Sequence, residues 1–289
     1  HIEKYLESPN MEFINKVTQG QYPPGSIFKI VVAAAAMEEN IVNLDTKFVC
    51  KGYETIHGIR INCSKEEGHG ELDFRHAFAK SCNSAFIQLG KQIGGEKIIR
   101  MAEKFGYGKK VLTGVSDEKT GILSKFADVQ GAGIGNLSIG QGTLTVTPLQ
   151  VGRATMIIAN GGLDKGLRLV KSVLQEGREK PFGEQAKARV ISEKTAVEIK
   201  ELMRGTVEYG TASDLMVRDE LGQKLQIGGK TGSAESTNRG ESVVHGWFTG
   251  FFPEDHPQYT ITVFVENGGN GKSIAISMFQ EMAQSLYEK

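Results

Sequence analysis

The chain has 289 residues, 39% of them hydrophobic, enough to bury one large core or two joined lobes. Lys plus Arg and Asp plus Glu stand at 34 each, which leaves no basic field to draw nucleic acid. No apolar run reaches the length of a membrane span and no signal peptide is evident, so the reading is a soluble piece whose membrane attachment lies in sequence outside it.

Pro23-Pro24-Gly25 ends the first segment and lets a helix start abruptly at Ser26-Ile27-Phe28-Lys29, which runs on into Val31-Val32-Ala33-Ala34-Ala35-Ala36. Positions i and i+3 share a helix face, so the Lys29 amine falls within reach of the Ser26 hydroxyl. The helix is too apolar to face water. Burial lowers a lysine pKa and the helix N-terminus acts the same way, which makes a neutral amine beside an alcohol: a base beside a nucleophile.

Two short β-like runs follow, Thr46-Lys47-Phe48-Val49 and Gly58-Ile59-Arg60-Ile61-Asn62, which are expected to pair as a hairpin. Cys50 and Cys63 end these runs. A disulfide between them is favoured, because the spacing fits no compact zinc-finger template; a metal site shared with His57 and His69, or two free thiols, are the other options. No metal and no cofactor is assigned. Cys82 is expected to pack beneath a site rather than react.

Helices are expected at 73–80, 83–93 and 95–105, with Gly94-Gly95 separating the last two. Residues 106–146 are glycine-rich and irregular, a candidate cleft wall. A helix opens at the N-cap Thr147 with Pro148 in its first turn and stops at Asn160-Gly161-Gly162. Another, capped by Ser192, covers 192–209. Leu225 to Ser233, Ser242 to Phe252 and Tyr259 to Glu266 read as three strands, and a last helix covers 272–287. Helices in the middle and strands late indicate an α+β fold: an antiparallel β-sheet flanked by helices, with a mostly helical second lobe. The lobes fall roughly at 30–160 and 163–289 of one domain.

Two more strings share the chemistry of Ser26/Lys29. Ser81-Cys82-Asn83 offers a hydroxyl and an amide two residues apart, and Lys230-Thr231-Gly232-Ser233 sits on the first late strand. Decoys exist: Ser116-Asp117-Glu118-Lys119 in what reads as a solvated loop, Ser236-Thr237-Asn238, and Lys119-Thr120-Gly121. Only the first set has each member at a helix start, beside a helix or on a strand.

These three motifs resemble those of the serine penicillin-recognising enzymes. The chain is more closely similar to the transpeptidase domain of class B penicillin-binding proteins. That likeness runs through Tyr22-Pro23-Pro24-Gly25-Ser26, Gly68-His69-Gly70, Ile139-Gly140-Gln141-Gly142, Thr147-Pro148-Leu149-Gln150, Ala159-Asn160-Gly161-Gly162, Gly210-Thr211-Ala212 and Trp247-Phe248-Thr249-Gly250-Phe251. Ser233 stands where these transpeptidases more often carry threonine. Only 25 residues precede Ser26, so the resemblance implies that the first strand or strands of the sheet, the membrane anchor and the non-catalytic N-terminal module are missing from this chain.

The resemblance implies peptidoglycan D,D-transpeptidation on the extracytoplasmic side of a bacterial membrane, within a cell-wall synthesis complex. Stem peptides ending in D-Ala-D-Ala would be the substrates and β-lactams the inhibitors. Ser26 would be the nucleophile and Lys29 its base, and the backbone N–H groups of Ser26 and Ser233 would form the oxyanion hole. Ser81 would relay a proton to the leaving group, Asn83 would hold the stem amide, and Lys230 would supply positive charge. Thr231 and Ser233 would bind the terminal carboxylate, while Gly232 would let substrate lie against the strand. Asn83 has the plainer reading of a helix cap; Trp247, His245 and His69 read as structural. A serine β-lactamase or D,D-carboxypeptidase, and a penicillin-sensing receptor domain, are the alternatives.

Overall fold

The structure, a computed structural model, describes residues 13–111, 113–115, 117–181, 187–219, 221–238, 241–268 and 271–287. In chain order the elements are a 3-10 turn Gly25–Phe28 leading into α1 Lys29–Glu38, then β1 Lys47–Cys50, β2 Tyr53–Ile56, β3 Ile59–Asn62 and β4 Gly70–Asp73. Next come α2 Phe74–Ala79, α3 Asn83–Ile93, α4 Gly95–Lys104, a 3-10 turn Phe126–Val129, α5 Gly133–Ser138 and α6 Pro148–Ala159. After β5 Leu163–Asp164, β6 Ser172–Gln175, β7 Arg178–Pro181 and β8 Ala188–Arg189 follow α7 Glu193–Glu208, β9 Gly228–Asn238, β10 Glu241–Phe252, β11 Tyr259–Val265 and α8 Gly271–Tyr287.

An antiparallel sheet of order β11-β10-β9 organises the molecule. On one face α8 lays Ala275, Phe279 and Ala283 against Phe248 and Phe252, with the Phe248 and Phe279 rings 4.6 Å apart. On the other face α6 packs against β10 and β11, while α7 and the turn before α1 pack against β9. Helix α1 is apolar all round and is correspondingly central: every residue from Lys29 to Met37 is buried, among α3, α4 and α7. Helix α6 opens with a full capping box between Thr147 and Gln150 behind Pro148.

The cysteine-bearing hairpin differs from expectation. Strand β2 pairs with β3 through Ile56 and Ile59, across a two-residue turn in which His57 and Gly58 have φ of 46° and 79°. Two consecutive left-handed residues are what a tight type I′ hairpin demands, so the nearer partner wins. Strand β1 then pairs with β4 instead, Cys50 opposite Gly70. Two smaller differences concern glycine. The 106–146 stretch holds α5, whose Gly133 and Gly135 conceal it in the sequence. Strand β9 begins at Gly228 rather than Leu225 and runs on to Asn238. Among the described residues no helix is long and apolar enough to cross a membrane.

Candidate active site

The Ser26 turn is clamped by two close backbone approaches. Gly25 has φ of 54°, and a Cβ there would stand 2.3 Å from the Ser233 carbonyl oxygen. Only glycine satisfies both conditions. The Gly25 N–H donates to the Gly140 carbonyl at 2.9 Å, bringing the 139–142 loop against the same turn. Since the Ser233 carbonyl faces the Ser26 turn, the Ser233 N–H, on the same side of extended backbone, is turned to that edge as well and away from β10. The Ser233 amide is thus turned toward the side of β9 on which the Ser26 turn lies.

Ser81 has φ of 54° and is buried, a strained conformation for a serine held by the turn into α3. The N-cap of α3 is Cys82, whose Sγ accepts from the Ala85 N–H at 3.5 Å. Asn83 is therefore not the cap. Its Oδ1 accepts from Lys29 Nζ at 2.7 Å and its Nδ2 donates to the Asn62 carbonyl at 3.2 Å. Lys29 Nζ also donates to the Ser81 carbonyl at 2.7 Å and lies 3.2 Å from Ser81 Oγ. Among the described residues no hydrogen bond joins Lys29 to Ser26 Oγ. The pair expected from i, i+3 spacing is in one site, but the amine is held by the second motif rather than folded on the alcohol.

Lys29 is fully buried, and burial pushes its amine down to about 7 against the opposing pull of Cys82 and Cys63. A neutral Lys29 has two N–H donors. Both are satisfied by the Ser81 carbonyl and Asn83 Oδ1, which frees the lone pair for a hydroxyl proton. Lys230 is buried too, its Nζ 5.5 Å from the Phe78 ring and donating to the Thr231 carbonyl at 3.2 Å. Burial, then Lys29, then Lys272, drive it well below the ordinary lysine range. Burial and the two neighbouring lysines thus work against the positive charge expected of Lys230.

Strand β9 presents its residues alternately. Thr231, Ser233 and Glu235 line a cleft of about 720 Å³ together with Ser26, Ser81 and Asn83. Thr231 is buried, its hydroxyl 2.5 Å from that of Thr211, which leaves Ser233 as the exposed hydroxyl on this edge. Gly232 also lines the cleft, and a Cβ there would meet Ile27 Cγ2 at 3.0 Å and Trp247 Cβ at 3.1 Å. The glycine lets β9 close on the serine turn. Trp247 is fully buried and donates from Nε1 to the Pro23 carbonyl at 3.1 Å. His245 is buried between Ser236 and Asn267.

The cysteines also depart from expectation. Cys50 and Cys63 are free thiols, not a disulfide. With Cys82 and His69 they bring four ligand atoms within 4.8 Å of one another. Cys50 Sγ and Cys63 Sγ each lie 3.5 Å from His69 Nδ1, and the Cys63 and Cys82 sulfurs are 3.8 Å apart. Tetrahedral zinc with ordinary bond lengths would set S···N edges of about 3.5 Å and S···S edges of about 3.8 Å. The hydrogen bond with Cys82, aided by backbone N–H groups, holds the Cys63 thiol below its usual range, while that hydrogen bond and burial push Cys82 up. The set fits a structural metal, contrary to the reading of none, and His57 is not part of it.

The decoys lie elsewhere. Ser236-Thr237-Asn238 ends β9 and Lys119-Thr120-Gly121 is a loop whose Lys119 N–H donates to the Thr18 carbonyl. Ser116 lies outside the described residues, and the adjoining Glu118 is buried and bonded to Thr113 rather than solvated. Sequence reasoning missed Thr211, Asn136, Glu235 and Lys272, all of which line the cleft. Thr211 stood in the Gly-Thr-Ala string, and Glu235 follows from strand alternation two residues beyond Ser233; Lys272 had no local signal.

Comparison with known proteins agrees with this fold. Residues 3–284 match the model of the penicillin binding protein transpeptidase domain. Stage V sporulation protein D of Bacillus subtilis is 34% identical over 253 residues, covering 85% of this chain and 38% of its own length. Penicillin-binding protein PbpB of Mycolicibacterium smegmatis is 30% identical over 298 residues, covering 95% of this chain and 44% of its own. The chain thus spans less than half the length of these relatives. Among solved structures, Pseudomonas aeruginosa PBP2 in complex with WCK 5153 superposes with a TM-score of 0.84 at 25% identity, over 99% of this chain and 63% of that one. Mycobacterium tuberculosis PBP3 complexed with ampicillin gives 0.81 at 26%, over 95% and 65%. With its three motifs gathered around one cleft on this fold, the chain belongs to the penicillin-binding protein transpeptidase domain family.

Proposed function

We propose that this domain is the catalytic part of a peptidoglycan D,D-transpeptidase that works through a Ser26 acyl-enzyme and is acylated by β-lactams. The observation that carries the reading is the buried Lys29, its amine pushed to about 7 and held by Ser81 and Asn83, which line the same cleft as Ser26 and Ser233. Neutral Lys29 takes the Ser26 hydroxyl proton as Oγ attacks the carbonyl between the two terminal D-alanines. The Ser26 and Ser233 N–H groups receive the developing oxyanion. As the C–N bond breaks, the proton returns to the leaving D-alanine amine through Ser81, whose hydroxyl lies 3.2 Å from Lys29 Nζ. An amine from a second stem then attacks the ester, forming the cross-link and restoring Ser26.

The substrate's terminal carboxylate settles on the Ser233 hydroxyl beside the Thr211–Thr231 pair. Its negative charge also favours protonation of Lys230, whose ammonium is disfavoured in the empty site. The Cys50, Cys63, His69 and Cys82 set would hold a structural zinc. Through Cys82, between Ser81 and Asn83, it would fix the loop that carries Lys29's partners, with no part in acyl transfer. The anchor and the extracytoplasmic setting of the parent protein belong to this same reading.

A chromogenic cephalosporin tests the proposal. A stoichiometric burst followed by slow turnover is expected. Rapid multiple turnover would indicate a β-lactamase instead, and absence of any burst would remove the acyl-enzyme.

A further inference from the structure

The proposed reaction places a chemical demand on the substrate that one cleft residue answers. The acceptor in cross-linking is an amine carried by a stem peptide, and donor and acceptor stems are chains of the same kind. The donor stem therefore carries that ammonium too, on a side chain upstream of its two D-alanines. Glu235 sits on β9 two residues past Ser233 and on the same face, about 7 Å farther along the strand. Among the described residues lining the cleft it is the one carboxylate, the other charged groups being Lys80 and Lys272. It is exposed and makes no ion pair with any described residue, and its register partner on β10 is Val244.

A carboxylate is out of place on a wall that must receive another carboxylate, because like charges this close repel. It is in place if it pairs with a cation on the same ligand. A donor stem lying along the β9 edge with its terminal carboxylate at Ser233 puts its third residue from the C-terminus two positions away, again about 7 Å. We infer that Glu235 is a specificity residue that reads the ammonium on the donor stem's third residue from the C-terminus, an inference that rests on the transpeptidase reading.

The test uses the whole domain and two synthetic peptides ending in D-Ala-D-Ala, one with a free side-chain amine at that residue and one with the amine acetylated. Each competes with fluorescent penicillin for Ser26, and the readout is the ratio of the two inhibition constants within each protein. Wild type should favour the free amine by about tenfold, the value of one charge-assisted contact. Glu235→Gln should bring the ratio near one, and Glu235→Lys should reverse it. A Glu235→Gln protein that keeps the full wild-type preference would overturn the inference. Wild type that takes no fluorescent penicillin would instead overturn the transpeptidase reading beneath it.

Discussion

Lys29 Nζ stands 2.7 Å from Asn83 Oδ1 although 54 residues separate the two in sequence. This contact ties the first motif to the second and orients the amine without neutralising it, since an amide oxygen accepts a hydrogen bond but carries no charge. Asn83→Ala should lower the second-order rate of β-lactam acylation by about tenfold to a hundredfold, the range for losing a hydrogen bond to an ionisable group. Asn83→Asp should behave differently. An added negative charge raises the Lys29 pKa, so the acid limb of the rate profile should move to higher pH.

The wild-type profile itself follows from the burial of Lys29. Only neutral amine can take the Ser26 proton, so acylation should rise as pH increases through about 7 and then level off. Between pH 6 and pH 8 the gain should be about tenfold. Lys29→Arg should abolish acylation across this range, because a guanidinium stays protonated. Stopped-flow labelling over that range is the check.

Gly25→Ala should damage both stability and chemistry. The residue has φ of 54° and its Cβ would stand 2.3 Å from the Ser233 carbonyl oxygen. The left-handed conformation alone disfavours alanine by about 1–2 kcal/mol, and relieving the clash must separate Ser26 from β9. Gly161→Ala is the control: φ is 66° with no atom near the added Cβ. Both variants should melt earlier than wild type, but only Gly25→Ala should lose penicillin labelling.

Protein purified without chelator should contain about one zinc per chain by elemental analysis, and a strong chelator should lower its melting temperature. His69→Ala and Cys82→Ser should each reduce the zinc content. Metal-free protein with an unchanged melting temperature on zinc addition would argue for four unligated side chains.

Much of this was legible in the sequence because the motifs are local and their elements are strongly signalled. The apolar run after Lys29, the Thr147-Pro148 cap and the β-branched, aromatic late strands each have a short-range cause. What was not legible depends on tertiary pairing. The spacing of Ser26 and Lys29 suggested a direct contact, yet the lysine's partners come from the start of α3. The partner of β1 was hidden because the His57-Gly58 turn claims β3 for β2. That rearrangement turned an expected disulfide into a cluster with His69 and Cys82, which no linear spacing template describes. The closeness of Ile27 and Trp247 to Gly232 likewise has no local signal in the chain.

The most direct measurement is peptide mapping by mass spectrometry after benzylpenicillin treatment of wild type and Ser26→Ala. The expected result is a single adduct on the peptide containing Ser26, absent from the variant. An adduct on another residue, or equal modification of both proteins, would contradict the assignment of Ser26 as the nucleophile.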